Sequence, residues 1–220
     1  MKYNNKLIVS CQAEGNSPFN KPQYIELFVR CAEMSNIPFI RLSGIENIRY
    51  ISQSTSIPII GLVKQTYDDG LVKISRNEND IKQILNYTNI VAIDGTFRSD
   101  NGLNGPQFIK YIAEHYACKI VADISSVDEA IECAKYTNYI STALSGYTTN
   151  KAPKTPNYKL LREIRNVLPN CTLIAEGRFN TPKQAAKAIK YGADYVCVGS
   201  AITRPLTIIS WYNEEINNIK

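Results

Sequence analysis

Histidine is almost absent from this chain of 220 residues, in which His115 is the only one. Ser-His-Asp and Cys-His catalytic sets use a histidine for proton transfer, so both are excluded unless His115 itself serves. A zinc site with several histidine ligands is excluded for the same reason. We therefore predict no metal site and expect other side chains to carry any chemistry.

Paired cysteine motifs are also missing. Six cysteines are present, but none forms a CxxC pair, and several lie within apolar runs. Cysteines in such surroundings are typical of small buried side chains in a reducing compartment. We interpret them as thiols of a cytoplasmic protein.

Long apolar runs are lacking as well. No stretch reaches the roughly 18 apolar residues of a membrane-spanning helix, and the apolar run within the N-terminal MKYNNKLIVS is too short for a signal peptide. The net charge of +5 is scattered, without a stripe of basic and aromatic residues. We expect neither a membrane nor a nucleic acid as partner, because a small anionic substrate explains a few well-placed cations better.

Eight short apolar runs are distributed along the whole chain. They are rich in β-branched residues and continuous rather than alternating, which is typical of strands buried on both faces of a parallel sheet. The runs cover residues 6–12, 37–44, 57–64, 90–96, 119–125, 139–146, 172–178 and 195–201.

Helical patterns separate these runs. Apolar residues recur at helical spacing in 24–34, 80–87 and 106–116. A capping box starts a helix at Ser126, with Glu129 three positions later. Asn180-Thr181-Pro182 supplies an N-cap followed by a proline for the helix that ends at Gly192. The strand ends follow one another every ~27 residues, which is room for one strand and one helix each.

Eight such units predict an α/β protein with a (β/α)8 TIM barrel, formed as a single domain by residues 1–220. A doubly wound open sheet is the alternative. That fold more often shows a G-x-G-x-x-G turn after its first strand, and SCQAEGNSP is not such a turn. The longest loops, 13–23 and 65–77, and the proline-containing stretch 150–156 are expected at the carboxyl ends of the strands.

Polar side chains collect at these predicted strand ends, where barrel enzymes carry out their chemistry. Strand starts carry no comparable set. The residues are Gln12, Arg41, Lys64, Asp94, Asp123 and Glu176.

Lys64 and Glu176 are the strongest catalytic candidates. They end the third and seventh strands, so we expect them to face each other across the barrel mouth. Two proton carriers on opposite sides of a substrate suit stereochemical inversion at carbon. A partly buried lysine also serves as a Schiff-base nucleophile, so that alternative stays open. Structural alternatives are a lysine that extends to solvent and an ion pair of Glu176 with a nearby arginine.

The other strand-end residues have binding roles in this interpretation. Arg41 suits a carbonyl or developing enolate oxygen, and Gln12 suits a hydroxyl or amide of the substrate. Asp123 either contacts substrate or caps the next helix, and Asp94 either contacts substrate or forms a tight turn before Gly95. Three further arginines are predicted to be solvated: Arg49, Arg76 and Arg98.

A phosphate site is expected at the last two strands, where many TIM barrels bind phosphate through backbone amides. Gly177 and Gly199 follow these strands and allow close approach of the backbone to an anion. Ser200 offers a further amide there, and Arg178 and Arg204 supply positive charge.

Seven motifs together resemble the N-acetylmannosamine-6-phosphate 2-epimerase (NanE) family, in the same order and over nearly the whole chain. They are SCQA (10–13), GLVK (61–64), IVAIDGT (90–96), ADIS (122–125), LSGYT (144–148), AEGRFNTP (175–182) and VGSAITRP (198–205). The resemblance implies interconversion of N-acetylmannosamine 6-phosphate and N-acetylglucosamine 6-phosphate without a cofactor, in a dimeric enzyme of amino sugar and sialic acid catabolism.

The resemblance also implies roles for individual residues. In that family the residues that match Lys64 and Glu176 serve the proton transfers at C2 of the sugar. The family residues that match Gln12, Arg41 and Asp123 contact the sugar. The arginine that matches Arg204 holds the phosphate. The chain departs from the family at Gln65, where an arginine is usual. A Schiff-base aldolase that uses Lys64 and a non-catalytic phosphosugar-binding barrel remain as alternatives.

Overall fold

The computed structural model describes residues 5–13, 15–149, 153 and 155–219. Ten strands occur among them. In chain order they are β1 (Leu7–Ser10), β2 (Phe39–Ser43), β3 (Ile59–Leu62), β4 (Lys64–Thr66), β5 (Val72–Ile74), β6 (Ile90–Asp94), β7 (Lys119–Asp123), β8 (Tyr139–Ser141), β9 (Thr172–Glu176) and β10 (Tyr195–Val198).

Helices follow the strands. In chain order they are α1 (Pro22–Met34), α2 (Ile45–Ile51), α3 (Glu78–Leu85), α4 (Gly105–His115), α5 (Val127–Cys133), α6 (Tyr158–Val167), α7 (Pro182–Lys190), α8 (Ser200–Thr203) and α9 (Pro205–Asn217). Among the described residues, no helix is both long and apolar enough to cross a membrane.

Eight of the strands close into a parallel barrel with the order β1-β10-β9-β8-β7-β6-β3-β2. Closure occurs between the first and last strands, where Ile8 pairs with Cys197. The predicted TIM barrel is therefore confirmed, and the open doubly wound sheet is excluded.

The core has two apolar layers, one inside the barrel and one between the barrel and its helices. Successive residues of a strand alternate between the layers: Ile60 and Leu62 point inside, whereas Ile59 packs toward the helices. Both faces of each strand are thus buried, which explains why the strand sequences are continuously apolar.

A two-stranded antiparallel hairpin, β4 and β5, stands apart from the barrel. In the third apolar run the barrel strand ends at Leu62, and Lys64 is the first residue of the hairpin. The prediction that Lys64 is the last residue of a barrel strand was therefore wrong. The prediction of a plain loop over 65–77 was also wrong. At the base of the hairpin, the Ser75 amide donates to the Val63 carbonyl at 2.9 Å, and the Val63 amide donates to Ser75 Oγ at 3.0 Å.

Helix starts follow the predicted capping chemistry. Ser126 and Glu129 form the predicted capping box. In the predicted start of α7 the cap is Thr181, directly before Pro182: its hydroxyl accepts the Gln184 amide, while the Gln184 side chain accepts the Thr181 amide. Of the predicted loop 150–156, residues 150–152 and 154 lie outside the described residues, as does residue 14 of the first loop.

Candidate active site

A cavity of about 1060 Å³ opens at the carboxyl ends of the barrel strands. Nine of the eleven predicted site residues line it: Gln12, Arg41, Lys64, Glu176, Gly177, Arg178, Gly199, Ser200 and Arg204. The structure therefore brings the predicted proton carriers and the predicted phosphate site to one cavity. Asp123 and Asp94 are buried outside the lining.

Arg41 connects the cavity to carboxylates on other strands. Its Nη1 donates to Asp123 Oδ1 at 3.0 Å, and its Nη2 bonds the second oxygen of the same carboxylate. Nη1 also lies 3.2 Å from Oε2 of Glu176. The guanidinium thus holds both carboxylates, and Glu176 pairs with Arg41 rather than with the arginines that follow it in sequence. Asp123 does not cap α5, because Ser126 does so.

Burial and charge set the protonation of this group. Burial lowers the pKa of Arg41, but the carboxylates of Asp123 and Glu176 outweigh it and raise that pKa overall, so the guanidinium stays cationic. Burial raises the pKa of Asp123 to about 6, against the opposing effect of Arg41. Burial also raises the pKa of Cys197, which lines the cavity near Glu176 and so remains a neutral thiol.

Carbon-13 NMR of the aspartate carboxyl groups should therefore detect one that titrates at about pH 6, against about 4 for an ordinary aspartate. Asp123 is ionised and paired with Arg41 above this pH. Because its folded-state pKa is raised, the stability that it contributes is complete below about pH 4 and is lost as the pH rises through about 6. Asp123→Asn should remove the resonance, whereas Asp128→Asn at an exposed position should not. A midpoint near 4 for Asp123 would contradict this assignment.

Lys64 faces Glu176 across the mouth. It begins the hairpin two positions after the end of β3, and β3 lies four strands from β9 in the eight-stranded barrel, which is the opposite side. Both side chains are half-buried and line the cavity. A substrate between them would have one ionisable group on each of two faces.

Several buried polar atoms of the cavity wall make no hydrogen bond with the described residues. Among them are the acceptors Gln12 Oε1 and Glu176 Oε2 and the donor Arg41 Nε, although Glu176 Oε2 lies 3.2 Å from Arg41 Nη1 as an ion pair. Buried polar atoms are nearly always hydrogen-bonded. These atoms therefore favour a polar ligand in the cavity.

The two glycines of the predicted phosphate site differ in their backbone conformation and in their surroundings. Gly177 has φ of +106°, a conformation that other residues rarely adopt. Gly199 instead lies close to β1, where a Cβ would be in tight contact with Cβ of Ser10 at 3.2 Å. Its chain continues into α8, which the Thr203 hydroxyl fixes by donating to the Ser10 carbonyl at 2.8 Å.

Arg178 has a clear structural contribution. Its Nη2 donates to the Ser145 carbonyl at 2.7 Å, its Nε donates to the Thr155 carbonyl at 3.1 Å, and its guanidinium lies over the Tyr147 ring. Arg178 therefore connects the loops that follow β8 and β9. Its Nη1 is buried and makes no hydrogen bond with the described residues, so this atom remains suited to a ligand.

The prediction that Arg76 and Arg98 are solvated was wrong, whereas Arg49 is exposed as predicted. Arg76 is buried and donates to the Asp94 carbonyl at 3.3 Å. Arg98 pairs with the Asp94 carboxylate at 3.0 Å. Asp94 also accepts the Thr96 amide, which is the predicted tight-turn arrangement.

Sequence reasoning missed part of the cavity wall. Ser10 and Asn180 lie two positions from the predicted residues Gln12 and Arg178, and Leu144 and Tyr147 lie in the LSGYT motif. No comparable signal marks the hairpin or the last helix as part of the site. The residues that these two elements add are Gln65, Thr66, Val72, Ile74, Trp211 and Glu214.

Fold and cavity together define the class of protein, an eight-stranded α/β barrel with its polar site at the carboxyl ends of the strands, where barrel enzymes have their active sites. A family model described as "Putative N-acetylmannosamine-6-phosphate epimerase" matches residues 25–218. The chain belongs to this NanE family.

Individual relatives agree with the family assignment. A protein of Salmonella arizonae named "Putative N-acetylmannosamine-6-phosphate 2-epimerase" is 39% identical over 212 residues, which are 96% of this chain and 91% of the relative. A protein of the same name from Escherichia coli O157:H7 is 37% identical over 215 residues, with the same coverage of 96% and 91%. A solved structure of the N-acetylmannosamine-6-phosphate 2-epimerase from Clostridium perfringens superposes with a TM-score of 0.87 at 32% identity, covering 96% of this chain and 93% of that one.

Proposed function

We propose that the protein is an isomerase that interconverts N-acetylmannosamine 6-phosphate and N-acetylglucosamine 6-phosphate in amino sugar and sialic acid catabolism. The observation that carries this proposal is the placement of Lys64 and Glu176 on opposite sides of one polar cavity, in a chain of the epimerase family. The two sugars differ only in configuration at C2, so the reaction requires inversion at that carbon.

Inversion by proton transfer starts from the open-chain sugar. In the closed ring the C2 proton is not acidic, whereas ring opening produces an aldehyde and places C2 next to a carbonyl. One of Lys64 and Glu176 removes the proton to give an enolate, and the other returns a proton to the opposite face. The hydrogen lost from C2 passes to the protein, and the hydrogen gained comes from the protein and thereby from solvent.

The Arg41 side chain is suited to the charge that develops in this reaction. A buried, fixed cation stabilises an enolate oxygen more strongly than solvent does, and Arg41 Nε has no hydrogen bond with the described residues. Asp123 holds the other edge of the guanidinium and so fixes its direction. Gln12 contributes its side-chain amide oxygen to a hydroxyl or amide donor of the sugar.

The phosphate group is expected at Gly177, Gly199, Ser200 and Arg204, which line the same cavity. An anchor distant from C2 contributes binding energy and fixes which face of the sugar meets which proton carrier.

Arg204→Ala should raise KM for N-acetylmannosamine 6-phosphate by about ten- to a hundredfold, because a hydrogen bond to a charged group contributes about 1.5–3 kcal/mol. Steady-state kinetics measure this, with Arg49→Ala, at an exposed position on α2, as the control. The KM for unphosphorylated N-acetylmannosamine should change much less. A KM within twofold of the native value would contradict the phosphate assignment.

The comparisons support the epimerase and neither of the alternatives considered from sequence, the Schiff-base aldolase and the non-catalytic barrel. Borohydride trapping with substrate provides a direct test of the aldolase, because proton transfer alone leaves no covalent adduct on Lys64. We expect no trapped adduct.

We also infer a cytoplasmic homodimer, in which each chain contributes one barrel domain. Six free cysteines support a reducing compartment. The helix α9 buries none of its residues, and its exposed apolar side chains favour contact with a second chain. They are Leu206, Ile209, Tyr212 and Ile216. Light scattering should give twice the chain mass of 24.7 kDa, and a monomer mass would contradict the dimer.

A further inference from the structure

The hairpin that carries Lys64 is connected to the end of β6 by a buried carboxylate, that of Asp94. We propose that Asp94, Tyr67 and Arg98 are positioning residues, which hold the hairpin so that Lys64 meets the substrate in a productive geometry. This inference rests on the proposed function, and it assigns Asp94 a role other than the substrate contact considered from sequence.

Both oxygens of Asp94 are used within the protein. Oδ1 accepts the amide of Thr96 at 2.9 Å and its hydroxyl at 2.6 Å. Oδ2 accepts the Tyr67 hydroxyl at 3.1 Å and Arg98 Nη2 at 3.0 Å. The carboxylate is fully buried and does not line the cavity. Its hydrogen-bond partners are therefore groups of the protein itself, and two of them, Tyr67 and Arg98, lead to the hairpin.

Each strand of the hairpin has its own connection to Asp94. Tyr67 directly follows β4, the strand that begins with Lys64. Arg98 Nη2 also donates to the Val72 carbonyl in β5 at 2.9 Å. The Arg98 guanidinium lies 4.3 Å from the centre of the Tyr67 ring, so the two connections pack against each other.

Such attachment is needed because the hairpin is short. Its strands have three residues each, with Lys64 opposite Ile74 and Thr66 opposite Val72. An isolated two-stranded hairpin is only marginally stable in water. Any tilt of this element displaces Lys64 directly, and a misplacement of about 1 Å at a reacting group can cost a hundredfold in rate.

Other contacts keep the hairpin attached and folded when the Asp94 connection is weakened. Gln65 Nε2 donates to Asp80 Oδ2 at 3.0 Å. Lys73 in β5 lies 3.1 Å from Asp100, and the base is closed by the paired hydrogen bonds of Val63 and Ser75. Loss of the Tyr67 hydroxyl should thus loosen the orientation of the hairpin without unfolding it.

Tyr67→Phe removes only the hydroxyl that reaches Asp94. We expect kcat for N-acetylmannosamine 6-phosphate to fall about tenfold while KM stays within twofold, because binding groups elsewhere in the cavity are unchanged. The matched control is Tyr116→Phe, which also removes a tyrosine–carboxylate hydrogen bond, to Glu78, away from the cavity. The control should keep the native kcat.

Hydrogen exchange provides a readout that needs no turnover. The amides of residues 64–74 should exchange at least threefold faster in Tyr67→Phe than in the native protein, and at the native rate in Tyr116→Phe. Arg98→Gln, which cuts the connection to β5, should act in the same direction. If both replacements act through Asp94, their effects should not add. The kcat of the double variant should then equal that of whichever single variant has the lower kcat.

A kcat for Tyr67→Phe within twofold of the Tyr116→Phe value would overturn the positioning role. A rise in KM of Tyr67→Phe with unchanged kcat would also overturn it, as would native hydrogen-exchange rates for residues 64–74 in this variant. If the native protein shows no epimerisation, the proposed function fails, whereas the exchange rates still report whether the Asp94 connection holds the hairpin.

Discussion

Replacement of Lys64 by methionine should lower kcat for epimerisation by about a thousandfold, within the range of 10²–10⁴ typical for removal of a general acid or base. Methionine keeps a long, flexible side chain but carries no proton. KM should change little, because phosphate and sugar contacts lie on other elements. NMR of N-acetylmannosamine 6-phosphate during the reaction measures the rate directly.

The control for this variant is Lys119→Met. Lys119 begins β7 at the opposite end of the barrel and is exposed. Its replacement removes the same charge from the protein without touching the cavity. Native turnover in Lys64→Met would remove the lysine from the mechanism, while equal loss in both variants would point to an effect of net charge.

Glu176→Gln should lower kcat to a similar degree, about 10²–10⁴-fold. Glutamine preserves the shape of the side chain, so the packing of the β9 end should survive, but it neither accepts nor returns the C2 proton. Arg41 keeps Asp123 as its counterion through two hydrogen bonds. The folded state should therefore remain intact, which a melting experiment checks.

Glu132→Gln is the matched control, since Glu132 is an exposed glutamate of α5 whose ion-pair partner is Lys135. It should turn over at the native rate. A native kcat in Glu176→Gln would contradict proton transfer by Lys64 and Glu176 together. Proton transfer would then depend on Lys64 and on groups of the substrate itself.

The barrel was predictable from sequence because its signal is local and repeated. Residues such as Ile59, Ile60 and Leu62 are apolar in succession since the strand is buried on both faces, and eight repeats of this pattern leave few other folds. Lys64 and Glu176 were recognisable because a charged residue directly follows such a run. The facing arrangement of their strands then followed from the closure of the barrel.

The hairpin and the arginines were not predictable in the same way. The strands of the hairpin have three residues and lack a clear alternating pattern. Arg98 resembles a solvated loop residue in sequence, and only the folded chain brings Tyr67, 27 positions before Asp94, to the same carboxylate. The Arg41–Asp123 contact spans 82 positions, so no local pattern contains it.

In the proposed mechanism, Lys64 and Glu176 invert C2 by exchanging its proton. The most direct test is epimerisation of N-acetylmannosamine 6-phosphate in deuterated water, followed by NMR or mass analysis of the N-acetylglucosamine 6-phosphate formed. We expect product with deuterium at C2, because the returned proton comes from a group in exchange with solvent. Product that forms at the native rate and retains the original hydrogen at C2 in every molecule would contradict it.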